Sequence, residues 1–142
     1  MISVEKAFES IVANAGIMQT ESLSVAKASG RVLAGPIKAR RSQPGCHMSA
    51  MDGYAVRSID LSGTGTETTL KLVGESAAGT PFSGTVGAGE TVRIFTGAAL
   101  PNGADQVVIQ ENTGPAEHGI FTDDAPTVGK NIRQAGYDFS EG

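Results

Sequence analysis

Tryptophan is missing from this 142-residue chain, and there are only two tyrosines, five phenylalanines, two histidines and one cysteine. Each scarcity removes a class of protein. A single cysteine, Cys46, cannot build a disulfide framework or a cysteine-rich zinc knuckle, and it fits a reducing compartment. His47 and His118 lie far apart and share no metal-type spacing with Cys46 or with each other, so both read as surface or packing residues. No apolar run approaches the roughly 18 residues of a membrane-spanning helix. The start, MISVEKAFESIVANAG, mixes Glu5 and other polar residues into its apolar ones and does not read as a secretory leader. The net charge is −4, and the one basic cluster, Lys38-Ala39-Arg40-Arg41, has no aromatic neighbours to stack on bases. It reads as a solvated strand end. A soluble, cytoplasmic protein is expected, without a nucleic-acid or membrane partner. Nucleophile elbows, phosphate loops and dinucleotide fingerprints are also missing.

What the chain has in quantity is glycine, with 19 residues, which is costly inside helices and strands but suited to turns. Residues 3 to 15 predict an amphipathic helix: Val4, Ala7, Phe8, Ile11, Val12 and Ala15 recur at three- and four-residue steps. Ser3 is placed to cap its start and Gly16 to end it. Its stripe reads as facing the core, with docking on a second subunit as the other option. From Ile17 to Arg41 short β-like pieces are expected, broken by a turn at Ala28-Ser29-Gly30. RVLAGPIKARR should be extended, with Pro36 favouring an edge strand or bulge. Strands are predicted at Tyr54 to Arg57, Leu70 to Val73, Thr91 to Phe95, Gln106 to Gln110 and Gly119 to Phe121, with Gly-rich joints between them. Such spacing predicts a small β-barrel or sandwich.

Three loop sites carry the available chemistry. The first is SAMDGYAV, which sets Asp52 and Gly53 between Ser49 and an apolar strand start. The second is Thr96-Gly97-Ala98, directly after TVRIF; the third is Asp138 in GYDF. A residue at a strand end is both held and exposed, as site residues often are. Taken singly, each also reads as a turn or strand terminator.

Taken in order, GRVLAGPI, SAMDGYAVRSID, VGESAAG, VRIFTGAALPNGADQVVIQE and GKNIRQAGYDFSEG closely resemble the N-terminal half of the molybdopterin molybdenumtransferase family. That family includes bacterial MoeA and the C-terminal domain of gephyrin. The resemblance runs from about Met1 to Gly142, and SAMDGYA and the TGA-LP-GAD stretch are specific to the family.

The resemblance implies a mainly β fold with some α: a discontinuous helix-and-strand domain of residues 1–41 plus 128–142, carrying an inserted β-barrel-like domain of residues 42–127. It implies an enzyme that inserts molybdate into adenylylated molybdopterin, releases AMP, uses Mg²⁺ and works as a homodimer on small-molecule substrates. The family's pterin-binding α/β domain is not among these residues, so the chain reads as a part of a longer protein that is inactive alone. A noncatalytic dimerisation or assembly module is the alternative; an unrelated ligand-binding β-barrel fits the motifs less well. By resemblance Asp52, Thr96 and Asp138 are the catalytic residues, with Asp52 acting through Mg²⁺. Ser49, Gly53 and Gly97 line the cofactor-binding loops. Two departures stand out. Cys46-His47-Met48 precedes the first motif where the family usually has Phe-Asp-Asn or similar, and Gly136-Tyr137-Asp138 stands where Gly-Glu-Asp is usual.

Overall fold

The computed structural model describes residues 2–142, which divide into two units at Ile37/Lys38. In the first unit, helix α1 spans Val4–Asn14. The Ser3 hydroxyl accepts the Lys6 N–H at 3.2 Å, satisfying a donor that the first helical turn leaves unpaired, and Glu5 lies in that turn near the positive end of the helix dipole. The core-facing expectation for its stripe is not met. The helix buries no side chain, and Val4, Phe8, Ile11 and Val12 are exposed. Among the described residues the rest of this unit supplies only a 3₁₀ turn at Val25–Lys27, too little structure to cover an eleven-residue helix. The strands expected between residues 17 and 41 do not form either. RVLAGPIKARR finds no partner strand among the described residues; beyond the turn at its start, its backbone is tied at the Ala39 carbonyl, which accepts the Gly142 N–H. The turn at Ala28-Ser29-Gly30 is present, closed by the Arg31 N–H on the Ala28 carbonyl.

The second unit is built on a six-stranded mixed sheet, curled into a half-barrel. Its strands are β2 (Gly53–Val56), β3 (Thr68–Ser76), β4 (Glu90–Ile94), β5 (Gln106–Ile109), β6 (Thr113–Ala116) and β7 (Gly119–Thr122), in spatial order β5-β2-β4-β3-β7-β6. β3 runs parallel to β4 with a register shift between Leu72 and Gly74, and every other pairing is antiparallel. Separately, β1 (Met48–Ser49) pairs with β8 (Ile132–Arg133). With the Gln43–Phe139 bridge, this makes a narrow ribbon of residues 43–49 against 132–139.

Both faces of the sheet are covered at β2 and β5, which explains why those strands are apolar at successive positions, whereas β7 buries only alternate residues. Ala55, Val92, Ile94 and Val107 cluster with Val86 and Ala98, whereas Val56, Leu70, Val108 and Ile120 form a second cluster with Leu61. Each of the larger aliphatic side chains contributes about 1.5–3 kcal/mol by leaving water. Buried polar groups are paired. The Gln106 amide donates to the Ala125 carbonyl and accepts the Thr127 N–H, and Asp105 accepts from the Ser58 N–H and hydroxyl. No helix among the described residues is long and apolar enough to cross a membrane.

β2 has a partner on each side, and its first residue must be glycine. A Cβ on Gly53 would lie 2.0 Å from the Val108 carbonyl oxygen, against backbone that cannot swing away. Gly53→Ala is therefore expected to lower stability to urea by about 2 kcal/mol or more, the range of core overpacking. Gly45→Ala, where nothing lies within 4 Å of the added carbon, serves as the control and should change little. Equal midpoints for the two variants would refute the close-packing account.

Candidate functional site

The antiparallel pairing of β2 with both β4 and β5 brings three chain segments to one edge. Gly53, at the start of β2, stands opposite Ile94 near the end of β4 and opposite Ile109 at the end of β5. The residue before β2, the turn after β4 and the turn after β5 therefore converge. They supply Asp52, Thr96-Gly97 and Gln110.

Asp52 is exposed, yet one of its oxygens is fully engaged. Oδ1 accepts the Thr96 backbone N–H and the Thr96 hydroxyl, each at 2.8 Å. An ionised carboxylate is acceptor-only, so the Thr96 hydroxyl must donate its single proton to Asp52. Asp52's own carbonyl accepts the Gln110 N–H at 3.1 Å, tying the aspartate to the 3₁₀ turn Gln110–Asn112. No hydrogen bond to Oδ2 is made among the described residues. Asp52 thus presents one held oxygen and one available oxygen. Its pKa lies below the usual carboxylate value, chiefly through the Thr96 N–H, then the Thr96 hydroxyl; slight desolvation opposes this and the Arg93 charge adds to it.

Thr96 and Gly97 occupy the middle of a β-turn closed by the Ala98 N–H on the Phe95 carbonyl at 2.9 Å. Gly97 has φ +81°, the left-handed value that the third position of a type II turn demands. The turn is pinned to β1: the Gly97 N–H donates to the Ser49 carbonyl and the Ser49 N–H to the Ala98 carbonyl, both at 2.9 Å. Ser49 is buried, and its hydroxyl donates to the Met51 carbonyl and accepts the Met51 N–H. That is loop-shaping geometry, and it leaves the hydroxyl no free proton.

Asp52, Gly53, Thr96, Gly97 and Ser49 therefore come together, as their order in the sequence suggested. Asp138 stands apart in its contacts. Its N–H bonds the Gln43 carbonyl far along the ribbon, and its carboxylate pairs with Arg133. It makes no hydrogen bond to Asp52 or Thr96. His47 accepts the Ala135 N–H at Nδ1, a packing role, and His118 is exposed in the β6–β7 turn.

Sequence reasoning missed Arg93. Its guanidinium lies 5.0 Å from the Tyr54 ring centroid and 4.9 Å from that of Phe95, and it bonds the Gln110 side-chain oxygen at 2.6 Å. Only part of the signal was local: Arg93 and Phe95 are two residues apart around the end of β4, whereas the register that sets Arg93 opposite Tyr54 is a property of the fold.

No group of three or more His, Cys, Asp or Glu side chains placed to hold a metal occurs among the described residues. The described residues build no closed metal cage. What it offers at this edge is one carboxylate oxygen, which matches Mg²⁺ only where most ligands are water and substrate phosphate, its common mode.

Comparison with known proteins points in one direction. The family model described as "MoeA N-terminal region (domain I and II)" matches residues 2–142. The molybdopterin molybdenumtransferase of Haemophilus influenzae is 40% identical over 125 residues, covering 87% of this chain and 30% of that protein. The protein of the same name from Nostoc sp. is 39% identical over 116 residues, covering 80% of this chain and 27% of that one. A crystal structure of the molybdopterin biosynthesis MoeA protein from Pyrococcus horikoshii superposes with a TM-score of 0.77 at 29% identity, over 99% of this chain and 37% of that chain. The chain thus spans about 30% of the length of its curated relatives.

The Asp52–Thr96 geometry sets a titration experiment. A depressed folded-state pKa gives stability that is fully present above the unfolded value, about 3.9, and is lost as pH falls through the folded value. In Thr96→Val the hydroxyl is gone but the stronger contributor, the backbone N–H, remains. The Asp52 carboxyl, followed by carbon NMR, should titrate at higher pH than in the wild type and still below an unfolded-chain aspartate. An unchanged midpoint would show that the hydroxyl does not hold Oδ1.

Proposed function

The chain belongs to the MoeA N-terminal region family, and from that premise we propose that it forms one wall of the active cleft of a molybdopterin molybdenumtransferase. The whole protein would insert molybdate into adenylylated molybdopterin, with release of AMP. The observation that carries this reading is Asp52, fixed at one oxygen by Thr96 and unengaged at the other, on an edge where three chain segments converge.

Electrostatics decides what that oxygen can do. A carboxylate repels both molybdate and phosphate, so Asp52 acts on these anions only through a cation held between them. Mg²⁺ bound mainly by substrate phosphate would neutralise that charge. Asp52 Oδ2 is the atom of this chain placed to meet such an ion. Because Asp52 is ionised well below neutral pH, it stands ready as a ligand without first losing a proton. Thr96 acts one step back. Its N–H and O–H are both committed to Oδ1, so it orients the carboxylate and does not itself donate to an oxyanion in this arrangement. Gly97 and Gly53 keep the two turns close, and Ser49 shapes the loop between β1 and β2. Asp138 belongs to the same protein but works through Arg133 and the ribbon.

The relatives are about three times as long as the stretch matched here, and the pterin-binding region is proposed to lie in the rest of the protein. Residues 1–41 with 128–142 and residues 42–127 are proposed as the two domains. The exposed stripe of α1 supports a second role, contribution to a homodimer contact or to assembly of the cofactor-making machinery. A cytoplasmic setting accompanies this reading.

Two outcomes test it. In the complete enzyme, Asp52→Asn should lower the rate of molybdate insertion and AMP release at least about a hundredfold, as expected for loss of a charge-placing group. Near-normal turnover would remove Asp52 from the chemistry. A polypeptide of residues 1–142 alone should release no AMP from adenylylated molybdopterin, and measurable release would place the whole reaction within these residues.

A further inference from the structure

Arg93 makes more contacts around the site than any role in the sheet requires. It leaves β4 on the same face as Tyr54 and Phe95, and its guanidinium is held between the two rings at 5.0 and 4.9 Å. Stacking of this kind fixes a planar cation while leaving its N–H groups free to donate. Those groups reach in two directions. Nη2 donates to the Gln110 Oε1 at 2.6 Å, and Nη1 reaches the Gly53 carbonyl at 3.4 Å. Gln110 in turn donates its backbone N–H to the Asp52 carbonyl. The residue after Asp52 and the residue bonded to Asp52 are thus both attached to one guanidinium.

We propose that Arg93 is the positioning residue of this edge: it locks Gly53 and Gln110 on either side of Asp52 and so fixes the direction in which the free carboxylate oxygen points. This rests on the reading of Asp52 as the functional group, but the clamp itself is a property of these residues. A sheet-stabilising role alone would need only the aliphatic stem of Arg93 against the aromatic rings. The directed bond to Gln110, a residue outside the sheet, is what sets the clamp apart. The charged groups around Asp52 are Arg93, Glu111, whose carboxylate accepts the Gln110 side-chain amide at 3.3 Å, and Glu75, which β3 sets in register opposite Arg93. The Arg93 charge also contributes to the lowered Asp52 pKa, as the smallest of its causes.

Lysine separates the two effects. Arg93→Lys keeps the charge and loses the planar, two-directional donor, whereas Arg93→Met loses both and keeps the stem. Amide exchange of Gln110 and the carbon-NMR titration of Asp52 are read in this chain, with the Ile120 amide in β7 as an internal measure of the fold. In Arg93→Lys the Gln110 amide should exchange about tenfold faster relative to Ile120, the size expected for losing a charge-assisted hydrogen bond next to it. The Asp52 titration should move little in that variant and rise in Arg93→Met. Unchanged Gln110 exchange in Arg93→Lys, with Ile120 protection intact, overturns the proposal even if Arg93→Met fails to fold. Faster Gln110 exchange combined with normal molybdate insertion by Asp52→Asn in the complete enzyme would leave the clamp standing and remove the site reading instead.

Discussion

β2 approaches β5 so closely that the backbone at Gly53 excludes any side chain, and the geometry of the site follows from that approach. The strand is only four residues long, yet it is paired along its length to β5 and over three residues to β4. With Gly53 fixed between two partners, the preceding residue cannot drift, and Asp52 is delivered to the ends of both neighbouring strands. The Asp105 N–H on the Val56 carbonyl and the Gln110 N–H on the Asp52 carbonyl close the β2–β5 pair at its two ends. A side chain at position 53 would force β5 away, and with it the 3₁₀ turn that carries Gln110.

The site built on this constraint is economical in charge. Around Asp52, one threonine and one guanidinium direct donors at defined acceptors: Thr96 at Oδ1, and Arg93 at the Gln110 side chain and the Gly53 carbonyl. Two donors converge on Oδ1 of Asp52 and none on Oδ2. An acid held in this way is a poor proton carrier near neutral pH, because both hydrogen bonds favour the ionised form. It is better suited to act as a fixed negative point against a cation. This argues for charge placement over general acid or base catalysis at this position.

Much of the fold was legible in the sequence. The five predicted strands are present, with ends shifted by at most three residues, because apolar runs bounded by glycine-rich turns leave few other arrangements. β6 escaped notice because Thr113-Gly114-Pro115-Ala116 has neither alternation nor β-branched density; it is an edge strand, where a proline can stand without breaking a ladder. β1 and β8 are two residues each, too short for any periodic signal. The stripe on α1 was read correctly as a stripe and wrongly as core-facing, since periodicity identifies the face that seeks burial but not the surface that covers it. Asp52 and Thr96 were found through motif order. Their hydrogen bond, the exhaustion of the Thr96 donors and the clamp by Arg93 depend on register across strands 40 residues apart in sequence, which no local pattern encodes.

The tail acts on the site through Arg133. Tyr137 lies with its ring 5.8 Å from the Arg133 guanidinium, and Arg133 is paired with Asp138. A guanidinium flanked by one carboxylate and one aromatic face is held from two directions. An exposed cation–π contact of this kind is worth about 0.5–1 kcal/mol, similar to a surface ion pair. The position of Arg133 matters because it sits in β8 opposite Met48, next to Ser49, whose backbone holds the Thr96-Gly97 turn. The tail therefore bears on Asp52 through the ribbon and not by direct contact. A change there is felt as a shift in the turn that grips Oδ1, while the carboxylate of Asp138 stays occupied with Arg133.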